Sequence, residues 1–147
     1  RAPAVPSCRP VGARAAPSCP PERAVLPAPA RLRRSEDFRT TVRHGVRAGR
    51  PTLVVHADLA EHVVPEDDPL PAQVGFVVSR RVGNAVTRNR VKRRLRHLAA
   101  ARLEQGARSD LRVVVRALPA AATRPERLEE DFSQAWRRAL ERLEAGT

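Results

Sequence analysis

The 147-residue sequence contains no methionine and no tyrosine, and its aromatic residues are three phenylalanines and one tryptophan. Because base stacking on a protein surface needs aromatic side chains, this chain can offer few stacking positions. Phe132 and Trp136 have helical spacing among other apolar residues, so we assign them to the core. Phe76 lies in an apolar run and is also expected to pack. Phe38 stays open between packing and stacking.

Cysteines and long apolar runs are also scarce. Cys8 and Cys19 both lie in a proline-rich stretch without a histidine nearby, which supports neither a zinc site nor a disulfide framework. No apolar run approaches the roughly 20 residues that cross a bilayer. The N-terminal residues lack the apolar stretch of a secretory signal. We therefore expect a cytoplasmic protein.

Motifs that carry catalysis by side chains are missing from the sequence. It has no Gly-x-Ser-x-Gly, no Walker loop and no pair of carboxylates in an apolar setting. The acidic runs Asp67-Asp68 and Glu129-Glu130-Asp131 are interpreted as loop and helix-surface residues. The histidines have no metal-ligand spacing and are His44, His56, His62 and His97. We predict neither catalytic residues nor a metal site in the protein.

Positive charge is abundant and concentrated in one part of the chain. The formal net charge is +12, and residues 69–103 hold nine arginines and lysines with no aspartate or glutamate. Solvent-exposed protein surfaces usually mix both signs. A field concentrated in one segment attracts a polyanion. The pattern favours a protein that binds nucleic acid.

The first 30 residues differ in composition from the rest. They contain eight prolines among alanines and arginines, a composition that forms neither a helix nor a core. We expect residues 1–30 to be a disordered extension and residues 31–147 to form one domain. If a valine codon starts translation, the mature protein is expected to begin near Val25.

Alternating β-branched and helical patterns predict an α+β domain with a central mixed sheet. Ser35 is the expected N-cap of a first helix that ends at Gly45. Strand-like runs cover residues 52–57, 73–79 and 111–117, and a solvated loop is expected over 58–71. A basic helix from Ala85 or Thr87 to Gly106 separates the last two strands, which are therefore expected to be parallel. An amphipathic helix over 125–145 covers the sheet.

The basic helix is the most informative segment. Residues 88–96 contain six cations, and Arg88, Lys92 and Arg96 follow one another at i, i+4 spacing beside the apolar stripe of Val91 and Leu95. Like charges at this spacing destabilise an isolated helix by about 0.2–0.5 kcal/mol per pair, which a bound polyanion would offset. No helix-turn-helix spacing is present. An open β surface beside a cationic helix suits single-stranded or irregular RNA better than DNA.

One continuous segment resembles a known family. Residues 75–96, GFVVSRRVGNAVTRNRVKRRLR, are similar to the signature of the bacterial ribonuclease P protein subunit. Residues 32–39 with His44-Gly45 resemble the opening helix of that family, and residues 110–116 its last strand, so the resemblance covers residues 26–145. It implies a single-domain α/β sandwich with three helices on the sheet, like the second domain of ribosomal protein S5. It also implies a left-handed β-α-β crossover, against the usual right-handed rule.

The resemblance also implies a function. In this family a large RNA subunit and its Mg²⁺ ions remove the 5′ leader of precursor tRNA, and the protein assists the binding of substrate and metal. The implied contacts to the RNA subunit or substrate are Arg80, Arg81, Arg88, Asn89, Arg90, Lys92, Arg93 and Arg96. The implied leader cleft, between the first helix and the sheet, contains Phe38, Val42, His44, Val55, Val77, Ser79 and Arg81.

Two positions depart from the family pattern. Val42 and Val55 stand where relatives often carry an aromatic residue, so weaker stacking on the leader is expected. Two alternatives of other classes stay open at this point. A general or ribosome-associated RNA-binding protein would carry the same charge without stimulating cleavage. A protein-only nuclease would need a carboxylate cluster that the sequence does not show.

Overall fold

The structure, a computed structural model, describes residues 26–60 and 71–146. Its strands are β1 (Val46–Gly49), β2 (Leu53–Leu59), β3 (Gln73–Val78) and β4 (Leu111–Ala117). Its α-helices are α1 (Ser35–His44), α2 (Ala85–Glu104), α3 (Ala120–Thr123) and α4 (Pro125–Gly146). Short 3₁₀ helices cover Ala28–Ala30 and Arg80–Val82. None of the helices in these two ranges is long and apolar enough to cross a membrane.

The four strands form one mixed sheet in the order β1-β2-β4-β3. β1 pairs antiparallel with β2, and β2 pairs antiparallel with β4. β3 runs parallel to β4, with α2 as the connection between them. The predicted parallel pair and the predicted α+β class with a mixed sheet are confirmed. The left-handed sense of the crossover remains a prediction.

The two faces of the sheet have different partners because strand residues alternate between them. Leu53, Val55 and Ala57 of β2 join the main core, together with Val113 and Val115 of β4. Helices α2 and α4 close that core with Val91, Leu95, Leu128, Phe132 and Trp136. The other face, with Val54, His56 and Val114, lies towards α1.

Helix α4 has the apolar stripe that its sequence predicts. Phe132 and Trp136 are buried, and their ring centroids lie 5.4 Å apart. Asp131 corrects one prediction, since it was interpreted as a helix-surface acid and is fully buried. Its carboxylate accepts a 2.8 Å hydrogen bond from the hydroxyl of Thr52, and Arg50 lies 3.8 Å away. A buried carboxylate needs such partners, and Thr52 lies 79 residues earlier.

Three further details of the fold differ from the sequence predictions. Ser35 is the first helical residue, and Arg34 is the N-cap without a side-chain hydrogen bond. Strand β1 was not predicted, because its four residues, Val46–Gly49, are too few and too polar to stand out. The four-residue helix α3, Ala120–Thr123, was missed for the same reason of length.

The predicted domain boundary at residue 31 is too late. Leu26 is fully buried in the core, and Ala28–Ala30 form a 3₁₀ helix. The amide of Leu32 donates to the carbonyl of Val74 at 3.0 Å, which holds this segment along β3. The predictions for residues 1–25, including Cys8, Cys19 and the start near Val25, lie outside the described residues. So do His62, Asp67, Asp68 and most of the predicted loop.

Candidate nucleic-acid interface

Local contacts fix the start of the basic helix α2. The side chain of Asn84 accepts a hydrogen bond from the amide of Thr87 at 2.9 Å, which caps the helix. Gly83 before it has a φ of 156°, a conformation that other residues rarely adopt. The buried stripe of α2 contains Val91, Leu95 and Ala99. The helix is therefore docked with one face inward and the other free for ligands.

The polar residues of α2 beside this stripe differ in their exposure. Arg88, Lys92 and Arg96 are half-buried along the margin of the helix. Asn89, Arg90, Arg93 and Arg94 are exposed. Arg80 and Arg81 are also exposed, in the 3₁₀ helix that leads from β3 towards α2. We call this set the α2 basic face, and its members are Arg80, Arg81, Arg88, Asn89, Arg90, Lys92, Arg93, Arg94 and Arg96.

No acid neutralises the α2 basic face within the described ranges. The ion pairs found there are Arg50–Asp131, Arg108–Asp110, Arg112–Asp37 and Arg112–Asp58. The Nε of Arg88 is enclosed and has no hydrogen-bond partner among the described residues. A face with this much unbalanced charge is complementary to phosphates, which arginine binds with two parallel hydrogen bonds.

The second surface is the face of the sheet on the α1 side. Strand register aligns Gly49, Val54, Arg116 and Val77 in one row across the four strands. The next row holds Arg47, His56, Val114 and Gly75. Arg116 and Val77 are exposed. These two rows and the facing side of α1 make up the sheet cleft.

Phe38 packs against the sheet at Gly75. An added Cβ at residue 75 would overlap the Phe38 ring and would lie 3.1 Å from Leu32 Cβ. Arg112 of β4 holds the same helix, since its guanidinium lies 3.0 Å from Asp37 on α1 and 3.4 Å from Asp58 on β2. These contacts set the distance between α1 and the sheet, and with it the width of the cleft.

His56 lies in the floor of the sheet cleft and is 7% exposed. Burial lowers its pKa below the usual 6.5, and the neighbouring charges of Arg47 and Arg116 lower it further. Its Nδ1 is buried without a hydrogen-bond partner among the described residues. At neutral pH the imidazole is uncharged, so the arginines supply the positive charge of the cleft.

The structure places two of the predicted cleft residues, Phe38 and Val77, on this surface. The Phe38 ring reaches from α1 onto β3 at Gly75, Val77 lies exposed on the same strand, and Ser79 follows the end of β3. Val42 and His44 lie exposed on α1, Val42 at 42%. Val55 is a wrong prediction, because it points into the main core and is fully buried. Strand alternation places its neighbours on the cleft side instead.

Sequence reasoning missed four cleft residues, Arg47, Val54, His56 and Arg116. The sequence of β4, Leu-Arg-Val-Val-Val-Arg-Ala, does carry a signal, because Arg112 and Arg116 are spaced four apart and so share a face. In β2 the one histidine within an apolar run is a weaker signal of the same kind. No sequence signal indicated Arg47 as a cleft residue, because strand β1 was not predicted.

A mixed sheet with a basic connecting helix and a cationic cleft defines an RNA-binding α+β protein. Residues 26–140 match the family model described as Ribonuclease P. The ribonuclease P protein component of Streptomyces griseus is 52% identical over 120 residues, which are 79% of this chain and 96% of the relative. That of Mycobacterium sp. strain KMS is 47% identical over 122 residues, 82% of this chain and 98% of the relative.

Solved structures agree on the fold. The ribonuclease P protein of Staphylococcus aureus superposes with a TM-score of 0.61 at 20% identity, covering 75% of this chain and 94% of that one. The protein from Thermotoga maritima, solved in complex with 1-(4-fluorophenyl)-2-thiourea, gives a TM-score of 0.53 at 24% identity, with 76% and 94% covered. The chain belongs to the ribonuclease P protein family. It is the protein component of a ribonucleoprotein enzyme that matures the 5′ end of tRNA.

Proposed function

We propose that the α2 basic face binds the catalytic RNA subunit and the adjoining part of the substrate. The observation that carries this proposal is the unbalanced charge, nine cations without an acid over residues 69–103. The half-buried column of Arg88, Lys92 and Arg96 is held in place by the docked helix. Preorganised cations lose little side-chain entropy when a phosphate binds.

The sheet cleft is the proposed site for the 5′ leader of precursor tRNA. Its exposed Arg116 and Val77 offer one cation and one apolar contact, and Phe38 lies on the opposite side. An extended single strand needs such a groove, with charge for the backbone and flat groups for the bases. With Val42 on α1 and Val54 on β2, the cleft relies on Phe38 for aromatic stacking.

The chemistry is assigned to the RNA subunit, with Mg²⁺ ions held by that RNA. Within residues 26–60 and 71–146 no three His, Cys, Asp or Glu side chains are grouped to hold a metal. The protein raises the affinity for substrate because its positive charge lowers the repulsion between the phosphates of the two RNAs. It assists metal binding indirectly, by holding the phosphates that bind Mg²⁺ close together. The proposed place of action is the cytoplasm, with precursor tRNA as substrate.

Salt dependence of RNA binding tests the role of the α2 basic face. The slope of log K against log salt flattens by about 0.9 on a duplex, and by about 0.7 on a single strand, for each phosphate that the protein no longer neutralises. Arg90→Ala is expected to flatten the slope for the RNA subunit by about one unit. Arg137→Ala is the matched control, since Arg137 is also exposed on a helix but lies on α4. Equal slopes for Arg90→Ala and wild type would remove Arg90 from the interface.

A further inference from the structure

A second cationic site lies at the opposite end of β3 from Arg80 and Arg81. A surface depression of about 390 Å³ is bounded by the chain before α1 and by the first residue of β3. Its lining residues are Ala28, Pro29, Arg31, Arg33, Arg34, Asp37 and Gln73. From Gln73 to the end of β3 is about 17 Å, at roughly 3.3 Å per residue. The depression therefore lies apart from Arg80 and Arg81, and its lining contains no residue of the α2 basic face.

The charge of the depression is positive. Three of its lining residues are arginines and one, Asp37, is an acid. The carboxylate of Asp37 already lies 3.0 Å from the guanidinium of Arg112. Arg33 and Arg34 are exposed, and neither takes part in an ion pair among the residues that the structure describes. Their charge is thus available to an anion.

The backbone that carries these arginines is fixed. Leu26 and Leu32 are buried on either side of the 3₁₀ helix. Arg31 forms a parallel bridge with Val74, and its Nε donates to the carbonyl of Leu26 at 3.0 Å. With Leu32 turned inward, Arg31 and Arg33 lie on the outer side of the extended segment. Cations on an anchored backbone form a preorganised site for an oxyanion.

We infer that this depression is a further RNA-binding site, besides the α2 basic face and the sheet cleft, and that it holds phosphate groups of the polynucleotide backbone through Arg31, Arg33 and Arg34. This inference rests on the proposed function, because it assumes that the α2 basic face holds RNA as well. Guanidinium groups around a concave surface fit the oxygens of a phosphodiester. Contacts at the depression would add to those at the α2 basic face and would fix the orientation of the protein on its RNA more firmly.

The test measures how the full chain and three variants bind two transcripts, a ribonuclease P RNA and a precursor tRNA. The variants are Arg33→Ala/Arg34→Ala, Arg137→Ala/Arg138→Ala and Arg90→Ala. In the double variant Arg33→Ala/Arg34→Ala, the slope of log K against log salt is expected to flatten by about two units on one transcript, at roughly 0.9 per phosphate contact. Arg137→Ala/Arg138→Ala removes the same charge from adjacent exposed residues of α4 and is expected to keep the wild-type slope. Thermal unfolding checks that the variants fold alike.

Each outcome has a defined meaning. If the slopes of Arg33→Ala/Arg34→Ala and the α4 control agree on both transcripts, the inference is wrong. Arg90→Ala tests the proposed function separately from the depression. A flattened slope in that variant supports RNA binding by the α2 basic face even when Arg33→Ala/Arg34→Ala shows no effect. Titration with inorganic phosphate alone tests the other source of the same chemistry. Phosphate binding that depends on Arg33 and Arg34, with RNA binding unchanged, would assign the depression to a free anion and overturn its role in RNA binding.

Discussion

The ring of Phe38 on α1 occupies the space that a side chain at Gly75 on β3 would need. This contact joins the opening helix to the central sheet, since Gly75 lies 37 residues after Phe38 in the chain. It places the one aromatic group of the sheet cleft directly over the β3 backbone. A glycine at residue 75 is thus required by the position of Phe38, and the cleft depends on both.

Gly75→Ala should destabilise the fold and disturb the cleft. The added methyl overlaps the Phe38 ring and lies 3.1 Å from Leu32 Cβ. Overpacking of this kind costs about 1–3 kcal/mol, so the free energy of unfolding in urea should fall by that amount. Gly49→Ala is the control, because nothing lies within 4 Å of its Cβ position. Equal stability of the two variants would show that α1 does not pack as described.

Thr52→Val should weaken the contact between the sheet and α4. The valine keeps the shape of threonine but cannot donate to the buried carboxylate of Asp131, to which the hydroxyl lies at 2.8 Å. A hydrogen bond to a charged group contributes about 1.5–3 kcal/mol, and denaturant unfolding should show a loss of that size. Thr123→Val, at an exposed position, should change stability little. An unchanged free energy of unfolding in Thr52→Val would contradict the buried hydrogen bond between Thr52 and Asp131.

Aromatic substitutions at residues 42 and 55 should have opposite effects. Val42 is 42% exposed on α1, so Val42→Phe can add a stacking surface to the cleft. One stacked base contributes about 1–3 kcal/mol, which is roughly a 5- to 150-fold gain in affinity for precursor tRNA over mature tRNA. Val55→Phe should instead lower stability by about 1–3 kcal/mol, because residue 55 is fully buried. A stable Val55→Phe variant that binds the leader more tightly would show that residue 55 lies in the cleft.

His56 should make stability fall in mild acid. Because its folded pKa is lowered below 6.5 by burial and by Arg47 and Arg116, the unfolded chain binds a proton that the folded chain does not. The free energy of unfolding therefore drops as pH falls from about 6.5 towards the lower folded pKa. His56→Gln should show a shallower drop between pH 8 and pH 5, with each protein referred to its own value at pH 8. If His56→Gln has the same pH dependence as the wild type, His56 is not the cause of the loss of stability in acid.

Sequence patterns predicted the fold correctly where a periodic signal extends over many residues. The stripe of Val91 and Leu95 and the cations between them located α2 correctly, because both repeat at helical spacing. The parallel pairing of β3 with β4 followed from the length of the helix between them. The position of the α2 cations on one docked helix was thus predictable, while the binding of RNA by the α2 basic face stays a prediction.

Features that depend on tertiary contacts could not be predicted. The face on which Val55 lies was assigned wrongly, because residues 53–57 are all buried and show no alternation of polarity. Asp131 resembles a surface acid until the fold brings Thr52 beside it. The depression at Arg31, Arg33 and Arg34 is formed only when the segment after Leu26 lies along β3.

Cleavage of precursor tRNA at low Mg²⁺ tests the central claim, that this protein positions RNA and does no chemistry itself. The assay combines a precursor tRNA with the ribonuclease P RNA of Streptomyces griseus, whose protein component is 52% identical to this chain over 120 residues. We predict no cleavage by the protein alone, little by the RNA alone under these conditions, and restored cleavage at the 5′ end when both are present. Cleavage by the protein without RNA, or no gain when it is added, would contradict the account.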